Sequence, residues 1–500
     1  MKKTPLNFKK ILIFLIQLFI FSSIIAGFVI LMQRINVLYN WFFLVFLYVI
    51  NVVFVFIIYY QKRQTNAKIS WIYLILLFPV IGHILFLTFG LIFVNKNEIK
   101  ILKRKSYDLK KYPELIRKNN SRFLDDLSKI NNGVVLAGNI ELFPEGYRFY
   151  EVLIDQIKNA QKSIFIVSYI IKKSEISEEI MSLLTAKLEE GVEIKWLVDD
   201  FGCTFSQKRA LNKLAKKGAQ IAFIGKIYYP LIHSKSFSRN HQKFVIVDSE
   251  IVFSGGNNIS DEYASLSKKY GHWIDLNYMI QGAYVNSYNM HFMQFWEIVT
   301  NQKIEIDSHI NSKIEIEQKN KNNLILVSDS PSLDYSEAEF FWLKMISDAK
   351  EEIMIATPYL SLTNSLEKQI ILALKRGVKI KIFIPGLPDK KMVYKVTLQE
   401  AQNLMNHGLE LYIFKNSFLH TKMGVIDQKV AWVGTNNMDS RSMFSQYETM
   451  DVFEGEQVNE VVQIFNWYKQ FSIHFQRGDE IMPNRTFFNK FLANWTKPLI

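Results

Sequence analysis

Two stretches of this chain set a histidine, a lysine and an aspartate at the same spacing. The first is Arg239-Asn240-His241-Gln242-Lys243, an apolar run, and Asp248, followed by Gly255-Gly256-Asn257-Asn258. The second is His420-Thr421-Lys422, an apolar run, and Asp427, followed by Gly434-Thr435-Asn436-Asn437. An imidazole can attack an electrophile or carry a proton. Two histidines from related stretches suit a reaction in which one attacks and the other protonates the leaving group. The two lysines concentrate positive charge where an anionic transition state would form. Asn258 and Asn437 add neutral donors for phosphate oxygens. Such a cage fits a phosphodiester and has no use for a neutral carbonyl. A lysine beside each histidine repels a cation, so no metal site and no cofactor are expected. One copy of three fixed residues arises by chance easily in a lysine-rich chain; two copies with the same glycine–asparagine tail do not.

The elements around these stretches must place them. The apolar run after Lys243 reads as a buried strand, in which side chains two apart share a face. His241 and Lys243 should then project together from that strand. Before it, the sequence alternates: an amphipathic helix over 147–162, a strand over 163–171, a helix over 178–190 and a strand over 191–198. A helix over 211–217, a glycine stop and a strand over 219–224 follow. The same grammar returns from residue 340, with helices over 341–349 and 366–375 and a strand over 353–356. Gly377-Val378-Lys379-Ile380-Lys381 repeats Gly191-Val192-Glu193-Ile194-Lys195. The expected fold is therefore α/β, duplicated at domain size, with much parallel pairing. The expected halves are 140–300 and 336–500, with a linker over 301–335. The stretch 301–323 reads as linker, or as an outlying helix or strand.

Composition narrows the setting. Lysine and arginine number 60 against 47 acidic residues, a net charge of +13 that suits an anionic partner. Cys203 is the only cysteine, which excludes an internal disulfide and a thiolate metal cluster. Residues 1–95 read as a membrane segment, with uncharged apolar runs over 11–32, 38–60 and 71–94. Tyr39, Trp41, Tyr59, Tyr60 and Trp71 suit interfacial belts. Lys2, Lys3, Lys9 and Lys10 precede the first run and a basic stretch over 96–139 follows the third, so both ends favour the cytoplasm. Two spans plus one re-entrant or interfacial segment satisfy both clusters. Pro79 and Gly82 assign that role to the third run.

These motifs resemble those of the phospholipase D superfamily, and within it the bacterial cardiolipin synthases. The resemblance spans residues 140–450. It rests on both His-x-Lys-x4-Asp copies, on Ile259-Ser260-Asp261-Glu262-Tyr263, on Thr357-Pro358-Tyr359, and on Asn437-Met438-Asp439-Ser440-Arg441-Ser442 with Glu448. In the membrane segment, Lys68, Trp71, Pro79, Gly82, Phe89 and Gly90 resemble that family's signature. The chain departs from the pattern at Val167, Gln242, Ile274 and Gln446.

The resemblance implies two similar halves meeting face to face around one site, and a two-step, metal-free reaction through a phosphohistidine. It carries over His241, Lys243, Asp248, His420, Lys422 and Asp427 as the catalytic set. His241 becomes the nucleophile and His420 the acid, then base. Asp275 and Glu448 become orienting carboxylates, Asp275 serving His241. Asp248 and Asp427 lie beyond the apolar strands and read as structural anchors. His233 and His272 read as ordinary packing or surface residues. The implied substrate is phosphatidylglycerol in an anionic membrane, with no nucleic acid. The implied enzyme is a multi-pass membrane phosphatidyltransferase facing the cytoplasm; the alternative is a phosphodiesterase that hydrolyses phospholipid or nucleic acid.

Overall fold

The structure is a computed structural model. It describes residues 37–61, 65–92, 94–116, 121–227, 234–266, 272–311 and 322–481, with a few helical positions between 16 and 30. Most of the first apolar run, and His233, lie outside the described residues.

The chain forms two compact units. One holds the N-terminal apolar segment and residues 225–238. Among its described residues, the helix Val37–Tyr60 is the one long and apolar enough to cross a membrane. At 1.5 Å per residue it spans about 36 Å, and its apolar side chains face outward. The third run does not continue as one helix. It breaks into Thr65–Leu77, Pro79–Leu85 and a five-residue π-helix, Phe86–Gly90. Pro79 opens its helix, where its missing N–H is harmless, and biases Phe78 away from helical geometry. The corner is tight: a Cβ on Gly82 would stand 2.7 Å from the Ile75 Cα.

The second unit is built on one long mixed sheet. The unit's strands from the first half are β1 (Leu136–Phe143), β2 (Ser163–Ser168), β3 (Glu193–Asp199), β4 (Gln220–Ile224), β5 (Arg239–Asn240), β6 (Phe244–Val247), β7 (Ile251–Gly255), β8 (His272–Ile274) and β9 (Asn277–Gln281). The second half supplies β10 (Asn322–Asp329), β11 (Glu352–Ala356), β12 (Leu360–Ser361), β13 (Lys379–Pro385), β14 (Glu410–Phe414), β15 (Ser417–Leu419), β16 (Met423–Ile426), β17 (Val430–Gly434), β18 (Met438–Asp439), β19 (Gln446–Gly455) and β20 (Ser472–Phe475).

Along the sheet the order is β20-β14-β13-β11-β16-β17-β19-β10-β1-β9-β7-β6-β2-β3-β4. β8 with β15, and β12 with β18, form two small separate sheets. Read outward from β1 and β10, the halves repeat: β9-β7-β6-β2-β3-β4 matches β19-β17-β16-β11-β13-β14. The duplicated α/β architecture is thus as the sequence reads. Pairing is parallel only in the βαβ portions, β2-β3-β4 and β11-β13-β14, where helices make the crossovers. Elsewhere along this path it is antiparallel.

Two expectations change. The halves meet edge to edge, not face to face: β1 pairs antiparallel with β10, and one sheet runs through both. Second, β10 begins at Asn322, inside the span read as linker. The apolar core of β10, Leu324-Ile325-Leu326-Val327, follows directly on the lysine- and asparagine-rich stretch read as linker, and β10 pairs with β1 and β19.

The motif aspartates close hairpins. Asp248 and Ser249, and likewise Asp427 and Gln428, adopt left-handed backbone with φ of 54°, 59°, 48° and 52°. Such turns match the twist of antiparallel strands, and aspartate tolerates that region better than most residues. Each carboxylate then accepts three backbone N–H bonds: Asp248 from Gln161, Lys162 and Ser163 at 2.6–2.9 Å, Asp427 from Lys350, Glu351 and Glu352 at 2.8–2.9 Å. Each ties its hairpin to the start of β2 or β11, away from the histidines. Asp248→Ala and Asp427→Ala should each lower unfolding free energy by about 2–4 kcal/mol. The folded fraction should retain kcat within about threefold. Denaturant titration and turnover per folded molecule check this; lost turnover in a fully folded variant would return these residues to the chemistry.

Candidate active site

The two histidines sit where the halves exchange strands. Short β5 leaves the first half and pairs parallel with β19 of the second: Arg239 faces Gln446 and Asn240 faces Tyr447. The pairing continues as the His241 N–H donates to the Tyr447 carbonyl at 2.9 Å. One residue on, Glu448 therefore stands beside His241. The mirror exchange pairs β15 with β8, Leu419 opposite Ile274. There the His420 N–H donates to the Ile274 carbonyl at 2.7 Å, and Asp275 stands beside His420. His241 and Lys243 lie just before β6, in the extended link from β5, not within the buried strand as expected.

This register crosses the carboxylates. His241 Nδ1 lies 2.9 and 3.0 Å from the two oxygens of Glu448, and His420 Nδ1 lies 2.5 Å from Asp275 Oδ2. The expected assignment of Asp275 to His241 is thereby corrected. Each half lends its carboxylate to the other half's histidine, because parallel pairing between halves sets the neighbours. With Nδ1 engaged, Nε2 is the nitrogen left for chemistry in both rings.

Space for Asp275 comes from the motif tail. A Cβ on Gly256 would fall 2.0 Å from Asp275 Oδ1, so only glycine admits the carboxylate there. In the second copy Thr435 holds this position, and its hydroxyl accepts from the Thr449 N–H at 3.0 Å. The tail asparagines are engaged internally. Asn258 Oδ1 accepts from the Ile170 N–H, and its Nδ2 donates to the Tyr263 hydroxyl. Asn437 Nδ2 donates to Ser442 Oγ at 3.3 Å.

The site is buried, and burial sets its electrostatics. His241 is 8% exposed, His420 6%, Lys243 6% and Lys422 3%. Each ammonium turns back onto the main-chain carbonyl of its own motif's histidine. Burial, reinforced by Lys243 and Lys422, holds His241 well below the usual imidazole range. Burial and Lys422 push His420 down to about 4, against an upward pull from Asp275. Burial brings Lys243 down to about 7 and lowers Lys422 as well. Burial also works to raise Asp275, but Lys422 and His420 outweigh it and hold the carboxyl below its usual value. Glu448, with burial dominant, lies well above. Both imidazoles are thus neutral and nucleophilic at neutral pH. An ionised carboxylate beside an imidazole stabilises its protonated form, so Asp275 makes His420 the better holder of a proton.

Three supporting groups escaped the sequence reading. Asp199, fully buried, accepts from the Asn240 N–H at 2.9 Å and from Arg239 Nη1 at 3.4 Å, fixing β5. Its signal was present: a carboxylate at the carboxyl end of a parallel strand is where α/β sheets place ligand-facing groups. Tyr169 packs edge-on to His241, with centroids 5.2 Å apart, and Trp273 packs on His420 at 4.9 Å. No local pattern marks Tyr169, whereas Trp273 stands two residues before Asp275, where the family pattern places a tryptophan. The departures from the family pattern are buried packing positions: Val167 lies in β2, Ile274 in β8, and Gln242 Oε1 is 3.2 Å from His291 Nε2. Gln446 Oε1 accepts from Ser442 Oγ at 3.2 Å.

A duplicated sheet with two buried histidine–lysine pairs on exchanged strands defines a phospholipase-D-like enzyme. The family model described as "Cardiolipin synthase, PLD-like domain" matches residues 153–296 and 342–469, and "Phospholipase_D-nuclease N-terminal" matches 41–90. Cardiolipin synthase 2 of Staphylococcus epidermidis is 31% identical over 423 residues, covering 81% of this chain and 86% of that one. Cardiolipin synthase of Listeria monocytogenes is 28% identical over 475 residues, covering 90% and 96%. The chain belongs to the cardiolipin synthase family of phospholipase-D-like proteins, and is a phosphatidyltransferase. The phosphatidylserine synthase structure from Haemophilus influenzae shares the fold, with a TM-score of 0.57 at 14% identity over 75% of this chain and 98% of that one.

Gly256→Ala should displace Asp275 and cost kcat at least about tenfold, and Asp275→Asn about 10²–10⁴-fold by presenting the wrong His420 tautomer. Because burial keeps His241 neutral, the acid limb of kcat/KM should lie below the ordinary histidine value of 6.5. A pH–rate profile of the purified enzyme checks this. A limb at or above 6.5 would contradict the buried geometry.

Proposed function

We propose that the enzyme transfers a phosphatidyl group between two phosphatidylglycerol molecules, giving cardiolipin and glycerol. The observation that carries this reading is the crossed pair of buried neutral imidazoles, each with its own carboxylate, in a relative of cardiolipin synthases. His241 Nε2 attacks phosphorus of the first lipid. The anionic phosphate raises the proton affinity of His420, which takes up a proton on Nε2 as the lipid binds; the bond from phosphorus to the glycerol oxygen breaks as His420 gives that proton to the oxygen. Lys243 and Lys422 swing from the main-chain carbonyls they hold to the phosphate oxygens, and the anion raises their proton affinity again. In the second step the hydroxyl of another phosphatidylglycerol loses its proton to His420 and attacks phosphorus, releasing His241. The buried site favours a lipid hydroxyl over water at this step.

Two features support a multi-pass membrane enzyme with its catalytic unit on the cytoplasmic face. One is the apolar helix Val37–Tyr60 with the broken apolar pair after it. The other is the charge of the flanks: lysines at 2, 3, 9 and 10, and again at 96, 100, 103 and 105. Each exposed lysine near anionic headgroups contributes on the order of 1 kcal/mol.

Purified protein in phosphatidylglycerol vesicles should form cardiolipin and glycerol in equal amounts. His241→Ala and His420→Ala should each lower the rate by about 10⁴-fold or more. His420→Ala, lacking the base for the second step, should accumulate acid-labile lipid on His241 when given a substrate with a good leaving group. Phosphatidic acid as the main product would point to hydrolysis instead, and normal turnover in either variant would sink the mechanism.

A further inference from the structure

Glu98 has no role in the chemistry above, yet its side chain is fully buried, at 0% exposure. It lies in the short helix Lys96–Leu102, on the segment by which the chain enters the catalytic unit. One carboxyl oxygen accepts from Ser330 Oγ. The other accepts from Ser332 Oγ at 2.7 Å and from the Tyr447 hydroxyl at 3.0 Å. The surrounding segment is fastened too. Asn97 Nδ2 donates to Asn301 Oδ1 at 2.9 Å, and Arg104 and Tyr107 both hold Glu297. A buried carboxyl group is costly unless hydrogen-bonded, and this one uses both oxygens on the second half of the sheet.

Tyr447 is the residue between Glu98 and the site. Its ring packs against Phe295 with centroids 5.0 Å apart, while its main-chain carbonyl takes the His241 N–H at 2.9 Å. Alternation along β19 sends the Tyr447 side chain to one face and that of Glu448 to the other. A force on the Tyr447 hydroxyl therefore sets the height and roll of the residue pair that receives His241.

We propose that Glu98 and Tyr447 are positioning residues: the buried carboxyl group of Glu98 holds the strand bearing Glu448, and through it the orientation of His241. This inference rests on the proposed role of His241 as the attacking group. Without the tie, β19 shifts, the Glu448–His241 contact loosens, and the imidazole gains water. Loss of burial raises its proton affinity, so less of it is neutral at mildly acidic pH.

The test uses the full chain in phosphatidylglycerol vesicles with Tyr447→Phe, Glu98→Ala and Glu98→Gln. Tyr447→Phe removes one oxygen only and keeps the ring packing. Tyr447→Phe and Glu98→Ala should each lower kcat about tenfold, with KM for the lipid within about twofold. The double variant should be no worse than the poorer single, because both break one link. The acid limb of kcat should move to higher pH, and Glu98→Gln, whose amide oxygen still accepts from Tyr447, should recover part of the loss. In parallel, nitrogen NMR of labelled histidine, with the His241 signal identified by its loss in His241→Ala, should show its titration midpoint rise in Glu98→Ala. That reading needs no turnover, so it stands even if the wild type fails to make cardiolipin, a result that would count against the proposed function instead. Unchanged kcat and an unchanged His241 titration in both variants would overturn the inference. So would a loss matched fully by a smaller folded fraction.

Discussion

The active site depends on two short parallel pairings between halves that also meet along β1 and β10. β5 beside β19 and β8 beside β15 are only two and three residues long. They nonetheless decide which carboxylate meets which histidine. Backbone hydrogen bonds in a parallel ladder fix neighbours residue by residue. Once Asn240 faces Tyr447, His241 must face Glu448; once Leu419 faces Ile274, His420 must face Asp275. Asp199, which holds β5 through Arg239 and the Asn240 N–H, serves this register. So does Gly256, whose missing side chain leaves room for Asp275.

Exchange of carboxylates makes the two halves functionally inseparable. A lone half would hold a histidine and a lysine with no acceptor on Nδ1, and the imidazole would lose its tautomer and its aim. The exchange also leaves the chemistry asymmetric despite the repeat. Aspartate on His420 and glutamate on His241 sit in different surroundings: Lys422 lies 3.8 Å from Asp275 and keeps it ionised, while burial dominates at Glu448. A duplicated fold thus gives its two histidines different electrostatic surroundings.

The N-terminal unit shows how composition and backbone geometry divide a task. The composition of residues 71–94 reads as a third membrane run. Pro79 and the close approach at Gly82 turn it into two short helices meeting at a corner. The segment that follows carries exposed lysines on its outside and Glu98 on its inside. The stretch over 96–112 is fastened by side-chain bonds to residues of both halves.

Much of this was legible in the sequence because it is local. The βαβ grammar, the glycine stops before β3 and β13, and the repeated pairing of His241 with Lys243 and of His420 with Lys422 follow from residue type and spacing. So does the anchoring place of Asp248 and Asp427, since an apolar strand separates each from its histidine. What the sequence could not settle lies between distant residues. It did not show β10 as a strand, because its apolar core follows directly on the lysine- and asparagine-rich stretch read as linker. It did not assign Glu448 to His241, because 207 residues separate them and either carboxylate satisfies the same composition. It left Glu98 unremarked, since an acidic residue among lysines reads as solvated surface. By itself the sequence determined the candidate groups, recurring at matched spacing, and the duplicated fold that carries them. Tertiary structure alone decided their partners, because strand register across the halves is set by contacts that no local pattern encodes.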